Sequence, residues 1–428
     1  MIGWIGSLLI TASALAGLPL FIVILAAAML GFYLADVPLT VIAIELYRLI
    51  DTPMLLALPL FTFSGYVLAE SGLSSRLVKF TSLVMGWMPA GLAIVSFFVC
   101  AFFTAFTGAS GVTIVAVGAL IFPALIAGGY NERYSLGLVT TSGSLGLLLA
   151  PSLPLILYGV IAQQMDLPTP FSLRDLFLAG AIPALLMILS LSVYSIWATK
   201  DLPLIREQFD RAQVFSQFKE LRWDMPLPLV VLGGIYSGFF AVSEAAAVTA
   251  AYVLTVYVAV KKEINPRSVP RIVKESMMMV GGILLILGVS LAFTNYLIDA
   301  EVPQALFSWI SEFIESKFAF LFLLNVVLLL LGAILDIFSA LVIMVPLILP
   351  LAISFGVDPV HLGIIFLANM QIGYFTPPIG MNLFIASYRF KKPISEIYRA
   401  TLPFMGVLLI VLILITYVPE ISLFFLER

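Results

Sequence analysis

Two short runs of small and hydroxylated residues, one in each half of the chain, carry the groups best suited to holding ions inside a membrane. The first is Thr107-Gly108-Ala109-Ser110-Gly111-Val112-Thr113, followed downstream by Thr140-Thr141-Ser142-Gly143-Ser144-Leu145-Gly146 and Ala150-Pro151. The second is Leu335-Asp336-Ile337-Phe338-Ser339, followed by Asn369 through Gly373, Thr376-Pro377-Pro378 and Asn382. Hydroxyls, amides and carbonyls freed by Gly and Pro are hard oxygen donors of the kind a sodium ion takes. Freed backbone N–H groups suit an anion. The expected sodium ligands are therefore Gly108, Ser110, Thr113, Thr141, Gly143, Leu335, Asp336, Ser339, Asn369, Gly373 and Thr376. The expected substrate contacts are Ala109, Ser110, Ser142, Pro151, Pro377, Pro378 and Asn382. Asp336 fits two roles equally, a cation ligand or a cap on the helix that follows. Read alone, the glycine-rich runs also fit a packing seam between helices.

The elements that must position these groups are interrupted helices. Pro123, Gly129, Gly146 and Pro151 fall on Pro350, Gly356, Gly373 and Pro378 at one ungapped offset of 227 residues, and Ser142 falls on Asn369. Irregular backbone survives at membrane depth only where it is buried or lines a cavity. Matching breaks in two halves point to a substrate and ion site at the interface of a repeat. Each half is expected to supply a re-entrant hairpin (tips at Gly108–Thr113 and Leu335–Ser339) and an unwound helix (Thr141–Pro151 and Asn369–Pro378).

The chain has 428 residues, 62% of them hydrophobic and 11% charged. Soluble domains are roughly 45–50% apolar and about 25% charged, so this chain belongs in a bilayer. Roughly ten to twelve membrane segments are expected, re-entrant ones included. The apolar N-terminal stretch lacks a basic leader and reads as a first membrane helix, broken at Gly17-Leu18-Pro19. Thr40 to Leu49 is amphipathic and suits an interfacial or bracing helix. Residues 1–199 form the first half and 227–428 the second. Residues 200–226 read as a solvated loop with a surface helix, five basic and five acidic residues lying between Lys200 and Asp224. Two basic clusters, Lys261 to Lys274 and Arg389 to Arg399, face the cytoplasm by the positive-inside rule.

The other polar residues and the absences narrow the chemistry. Glu244 reads as a helix-start residue with Ser243 as its N-cap, and Asp299 and Glu301 as solvated residues at a segment end. The lone His361 reads as an interfacial polar residue, and the single Cys100 as a small buried apolar one. There is no Walker A loop, no HExxH or multi-cysteine metal motif and no GxSxG elbow. No catalytic residue, transition metal or cofactor is expected, sodium serving only as a coupling ion. Net charge is −3 with no block of basic residues, which excludes nucleic acid as a partner.

Several stretches together are similar to the large membrane subunit of tripartite ATP-independent periplasmic (TRAP) transporters. They are Leu58–Gly65, Phe102–Thr113, Ala150–Gly159, Gly233–Ala247, Asp358–Ile365 and Ile372–Phe384, in the family's order along nearly the whole chain. The resemblance implies an all-α polytopic fold with two structural repeats, and an elevator in which a transport domain with two hairpins moves against a scaffold. It implies three partners besides the lipid bilayer: a small four-helix membrane subunit, a periplasmic substrate-binding protein and a small carboxylate substrate. The small subunit is expected as a separate chain. Family members often carry other residues at Ala109 and Gly111, and threonine at Ile337, which bears on side-chain ligation and leaves backbone ligation unaffected. The expected function is sodium-coupled import of a small organic acid across a bacterial inner membrane. The alternatives are a sodium/carboxylate symporter that needs no binding protein, and a channel or structural membrane subunit.

Overall fold

The computed structural model describes residues 2–50, 52–165, 167–204, 211–314 and 316–426. The described residues are mostly helical, joined by turns and short irregular links, with no strand among them. Helices Ile2–Leu15 (α1) and Leu20–Leu34 (α2) form a pair broken as the sequence predicts, with Gly17 at φ 85° and Pro19 ahead of α2. Thr40–Ile50 (α3), Ala57–Glu70 (α4) and Leu73–Met85 (α5) follow. Gly91–Thr107 (α6), Ser110–Ala116 (α7) and Gly118–Ala127 (α8) build the first hairpin, α7 and α8 being bent by 47°. Glu132–Ser142 (α9), a 3-10 turn at Leu145–Leu148 and Leu153–Gln163 (α10) form the first interrupted helix, and Leu173–Ala198 (α11) closes the half.

Beyond Arg211–Glu220 (α12) the architecture repeats. Pro226–Ser237 (α13) and Val242–Leu254 (α14) correspond to α1 and α2. The 31-residue Val269–Asp299 (α15) stands where α3 and α4 stand in the first half, and Val302–Ser311 (α16) where α5 stands. Lys317–Ile334 (α17) and Ile337–Ser354 (α18) make the second hairpin. Pro359–Gly373 (α19) and Met381–Phe390 (α20) make the second interrupted helix, before Ile394–Tyr417 (α21) and Glu420–Leu423 (α22). The offset of 227 reaches well beyond the four breakers. It carries the end of α6 onto the end of α17, the start of α7 onto the start of α18, and the start of α9 onto the start of α19. The two cis X–Pro bonds, Ala150–Pro151 and Pro377–Pro378, are also equivalent positions.

Among the described residues, eight helical stretches are long and apolar enough to cross a bilayer, nine if the bent α7–α8 pair is one span. With the five shorter apolar helices α1, α2, α6, α13 and α19, the described residues hold thirteen or fourteen apolar helical segments, against the roughly ten to twelve expected. The halves interlock: α14 packs on α4, and α15 on α2, α3 and α4. A second group joins α6, α9, α11, α17, α19 and α21. The groups meet where α4 lies on α6 and α15 lies on α18.

Three expectations from sequence need correction. The N-cap of α14 is Ala241, not Ser243, and the Glu244 carboxylate accepts the Ala241 N–H at 2.9 Å. His361 is not interfacial but 2% exposed, because α19 is enclosed along its whole length. The polar stretch between the halves is not wholly solvated, although its residues 205–210 lie outside the described residues. Helix α12 packs on α5, and Asp224 is buried. Its carboxylate meets Arg76 Nε at 2.9 Å and Lys261 Nζ at 2.7 Å, and accepts the Tyr257 hydroxyl. Arg76 also reaches Glu263 at 2.6 Å. A charge-balanced stretch can thus answer its charges on neighbouring elements and be drawn inward. Asp224→Ala leaves the half-buried Arg76 and Lys261 with only Glu263 to answer them and is expected to destabilise the protein by about 2 kcal/mol. Thermal unfolding in detergent checks this, and an unchanged midpoint would contradict it.

Candidate functional site

At the first tip, α6 ends because Gly108 adopts φ 64°, and its N–H closes onto Thr104 O at 2.7 Å. Ala109 then precedes α7 without a side-chain cap. One turn before the tip, Thr104 Oγ1 lies 2.7 Å from Thr113 Oγ1 on α7 and 2.8 Å from Gly143 O in the first unwound segment. It also lies 2.8 Å from Cys100 O. Two hydroxyls bring two protons to this group of oxygens, so acceptors outnumber donors. Thr107 Oγ1 and Thr141 Oγ1 are buried with no hydrogen-bond partner. Buried polar atoms are nearly always paired, and orphaned oxygens on both the hairpin and the unwound segment fit a small hard cation. Among the described residues no group of three or more His, Cys, Asp or Glu could hold a metal.

The second tip is tied differently. Leu335 ends α17 in extended backbone, and its N–H bonds Leu331 O at 2.7 Å. Asp336 is the N-cap of α18: Oδ1 accepts Phe338 N and Ser339 N, both at 3.0 Å, and Oδ2 accepts the Ser339 hydroxyl. Tyr374 from the second unwound segment accepts Ile337 N–H at 2.8 Å, and Gly380 N donates to Ala333 O at 2.8 Å. Asp336→Ala is expected to cost about 1–2 kcal/mol through the lost cap, read as a lower thermal midpoint that Asp336→Asn largely restores.

Glycine lets the unwound segments cross the hairpins. A Cβ added at Gly146 would stand 2.0 Å from Ala101 O, and one at Gly373 2.6 Å from Gly332 Cα. At the centre, Ser144 Oγ donates to Gln371 O at 3.0 Å, and these two residues are themselves equivalent under the repeat. Each hairpin's second arm packs against the other half: α7 on α20, and α18 on α10. That crossing brings Ser110 Oγ within 2.8 Å of Asn382 Oδ1. Helix α4 approaches as well, with Gly65 facing Phe106 O and Thr107 Cα.

The sequence-predicted residues divide accordingly. Ser110 and Asn382 meet, and Thr113, Gly143 and Thr141 belong to the first tip, as do Gly108 and Ala109. Leu335, Asp336 and Ser339 form the second tip, with Gly373 against the helix that leads to it. Asn369 turns elsewhere: Nδ2 donates to Asn325 Oδ1 at 2.6 Å and Ile365 O at 2.8 Å, while Oδ1 has no partner. The hydroxyl of Ser142 bonds Val139 O of its own helix, and that of Thr376, just past α19, bonds Ile372 O and meets Met405 Sδ. Pro151, Pro377 and Pro378 lie in the unwound segments, and Pro378 O accepts the Tyr398 hydroxyl. Thr104, Tyr374 and Asn325 were not among the predicted residues. Thr104 has one visible signal, a hydroxyl one turn before Gly108 in an apolar run. Within the segments 102–115, 139–157, 332–341 and 369–385, Asp336 is the only charged side chain. No arginine or lysine lies within these segments, and Arg389 at the end of α20 donates to Val115 O of α7 at 3.2 Å.

Residues 7–421 match the family "Tripartite ATP-independent periplasmic transporter, DctM component". The chain is 34% identical to the C4-dicarboxylate TRAP transporter large permease protein of Rhodobacter capsulatus, covering 97% of this chain and 96% of that one. It is 35% identical to the Pseudomonas aeruginosa protein of the same name, covering 89% and 88%. The sialic acid TRAP transporter large permease protein of Vibrio cholerae is 30% identical over 87% of this chain and 86% of its own length. In fold, the chain is similar to the Alcanivorax borkumensis YdaH transporter, with a TM-score of 0.59 and 16% identity over 86% and 88% of the two chains. This is a multi-pass inner-membrane protein of a transporter family and not of an enzyme family. The chain belongs to the DctM component, the large permease subunit, of the tripartite ATP-independent periplasmic transporters.

Proposed function

We propose that this protein couples the inward movement of sodium to the import of a small organic anion delivered by a periplasmic binding protein. The observation that carries the reading is the first tip, where Thr104, Thr113 and Gly143 converge, and where the hairpin and the unwound segment each carry an orphaned hydroxyl, Thr107 and Thr141. Sodium bound there would lock the hairpin to its unwound segment. The substrate then sits between the two tips, met by Ser110 and Asn382. With no cationic side chain in these segments, the bound sodium supplies the positive charge that the anion needs. Transport follows an elevator path, the hairpins and α9–α11 with α19–α21 moving against α1–α5 and α13–α16. A small four-helix membrane subunit braces the stationary group.

Relatives are named for C4-dicarboxylate, isethionate, ectoine and sialic acid. Carboxylates are the class this reading favours, C4-dicarboxylates first among them. The test is uptake of a labelled organic-acid panel into proteoliposomes holding this chain and its small subunit, with and without an inward sodium gradient and with and without the binding protein. Accumulation that needs both supports the reading. Accumulation with sodium alone removes the binding protein, and flux only to equilibrium removes sodium coupling.

A further inference from the structure

A small polar cavity lies where α3, α10 and α15 meet. It holds about 30 Å³ and is lined by Glu45 and Arg48 of α3, Gln164 just past α10, and Thr294 and Asn295 of α15. The rest of its wall is apolar. Helix α15 begins beside the basic cluster Lys261 to Lys274, so its end with Thr294 and Asn295 lies toward the periplasm.

The polar groups of this cavity are poorly answered. The Glu45 side chain is only 11% exposed, and its one partner among the described residues is Arg48. Arg48 Nη1 stands 3.2 and 3.3 Å from the two carboxylate oxygens, while the Arg48 side chain is 66% exposed. A solvated cation at that distance offsets little of a charge, and a buried carboxylate needs a close partner or a metal ion. Thr294 is 5% exposed, yet its hydroxyl makes no hydrogen bond among the described residues. The side-chain amides of Gln164 and Asn295 make none there either, so each is free to turn its oxygen inward. Carboxylate, hydroxyl and amide oxygens are hard donors. The inward carboxylate repels an anion. A single carboxylate is too little charge for calcium, and magnesium keeps several waters. Roughly 10–15 Å³ admits one water, so the cavity has room for a small monovalent ion with one water at most.

We propose that this cavity binds one sodium ion, held by Glu45 with the Thr294 hydroxyl and the two amide oxygens. In the elevator reading, on which this consequence rests, α10 moves while α3 and α15 stay, so the ion is held only while the three meet. The test counts radiolabelled sodium bound to the full chain in detergent, choline replacing sodium at constant ionic strength. Glu45→Gln is expected to bind about one sodium ion fewer per chain, both alone and combined with Thr104→Val. Thr294→Val keeps the side chain's shape, removes one oxygen and should weaken this ion about ten-fold. An unchanged count in folded Glu45→Gln overturns the site. If Glu45→Gln does not fold, Thr294→Val decides, and unchanged sodium affinity overturns the site. Loss in Thr104→Val without loss in Glu45→Gln leaves the first tip standing and this site refuted. The reverse result supports this site and removes the tip.

Discussion

Gly146→Val is expected to abolish the folded protein. A Cβ there would lie 2.0 Å from Ala101 O, 2.5 Å from Ala105 N and 2.8 Å from Thr104 Cβ. The first two are backbone atoms of α6 and cannot rotate away as a side-chain end could. Overpacking against side chains typically costs about 1–3 kcal/mol. Here a hairpin arm must part from its unwound segment, so the loss should exceed about 4 kcal/mol. Gly373→Val, at the equivalent position, faces Gly332 Cα and C at 2.6 Å and should behave alike. Size-exclusion profiles and thermal unfolding in detergent give the readout. The control is Gly406→Ala within α21, where nothing lies within 4 Å, and which should be neutral or gain up to about 1 kcal/mol from helix propensity. Wild-type folding of Gly146→Val would mean that the two elements do not cross as described.

These glycines explain why the repeat was legible in sequence. Where two backbones touch, only Gly fits, and where a helix must unwind, Gly and Pro recur. Both demands leave marks at fixed positions in each half, and so the offset of 227 could be read without coordinates. Side-chain partnerships leave no such mark. Ser110 and Asn382 could be picked as polar residues near breaks, but their meeting depends on how α7 crosses α20. Asn369 stands out in sequence because it aligns with Ser142, yet its amide turns to Asn325 because α17 offers a polar partner at that depth. The equivalent of Asn325 in the first half is Phe98, so the repeat itself gives no warning.

The linker shows the same limit from another side. Ten charges summing to zero read as solvated surface, and composition alone cannot tell a solvated residue from one drawn inward. Asp224 is buried because Arg76 from α5 and Tyr257 and Lys261 from the π-helical turn after α14 converge on it. Their convergence is a tertiary fact, spread over nearly two hundred residues of sequence.

The second large effect falls on Thr104. Thr104→Val is expected to raise the sodium concentration for half-maximal uptake by about ten-fold or more. The substitution keeps the side chain's branching and removes one oxygen from the group formed with Thr113 Oγ1 and Gly143 O. Loss of a partner to a buried polar or charged group costs about 1–3 kcal/mol, which spans five-fold to more than a hundred-fold in affinity. Thr104→Ser restores the oxygen and should stay near wild type. Thr62→Val is the control, since that hydroxyl bonds only Leu58 O of its own helix, and it should leave sodium dependence untouched. The comparison also separates the two readings of the glycine-rich run. In a packing seam, Thr104→Val and Thr62→Val would both shift stability modestly, and neither would shift sodium dependence. In an ion site, Thr104→Val moves the sodium response at protein levels where folding is intact, and more sodium rescues it. A sodium response unchanged by Thr104→Val would remove the first tip as the coupling site and leave its orphaned oxygens to bound water.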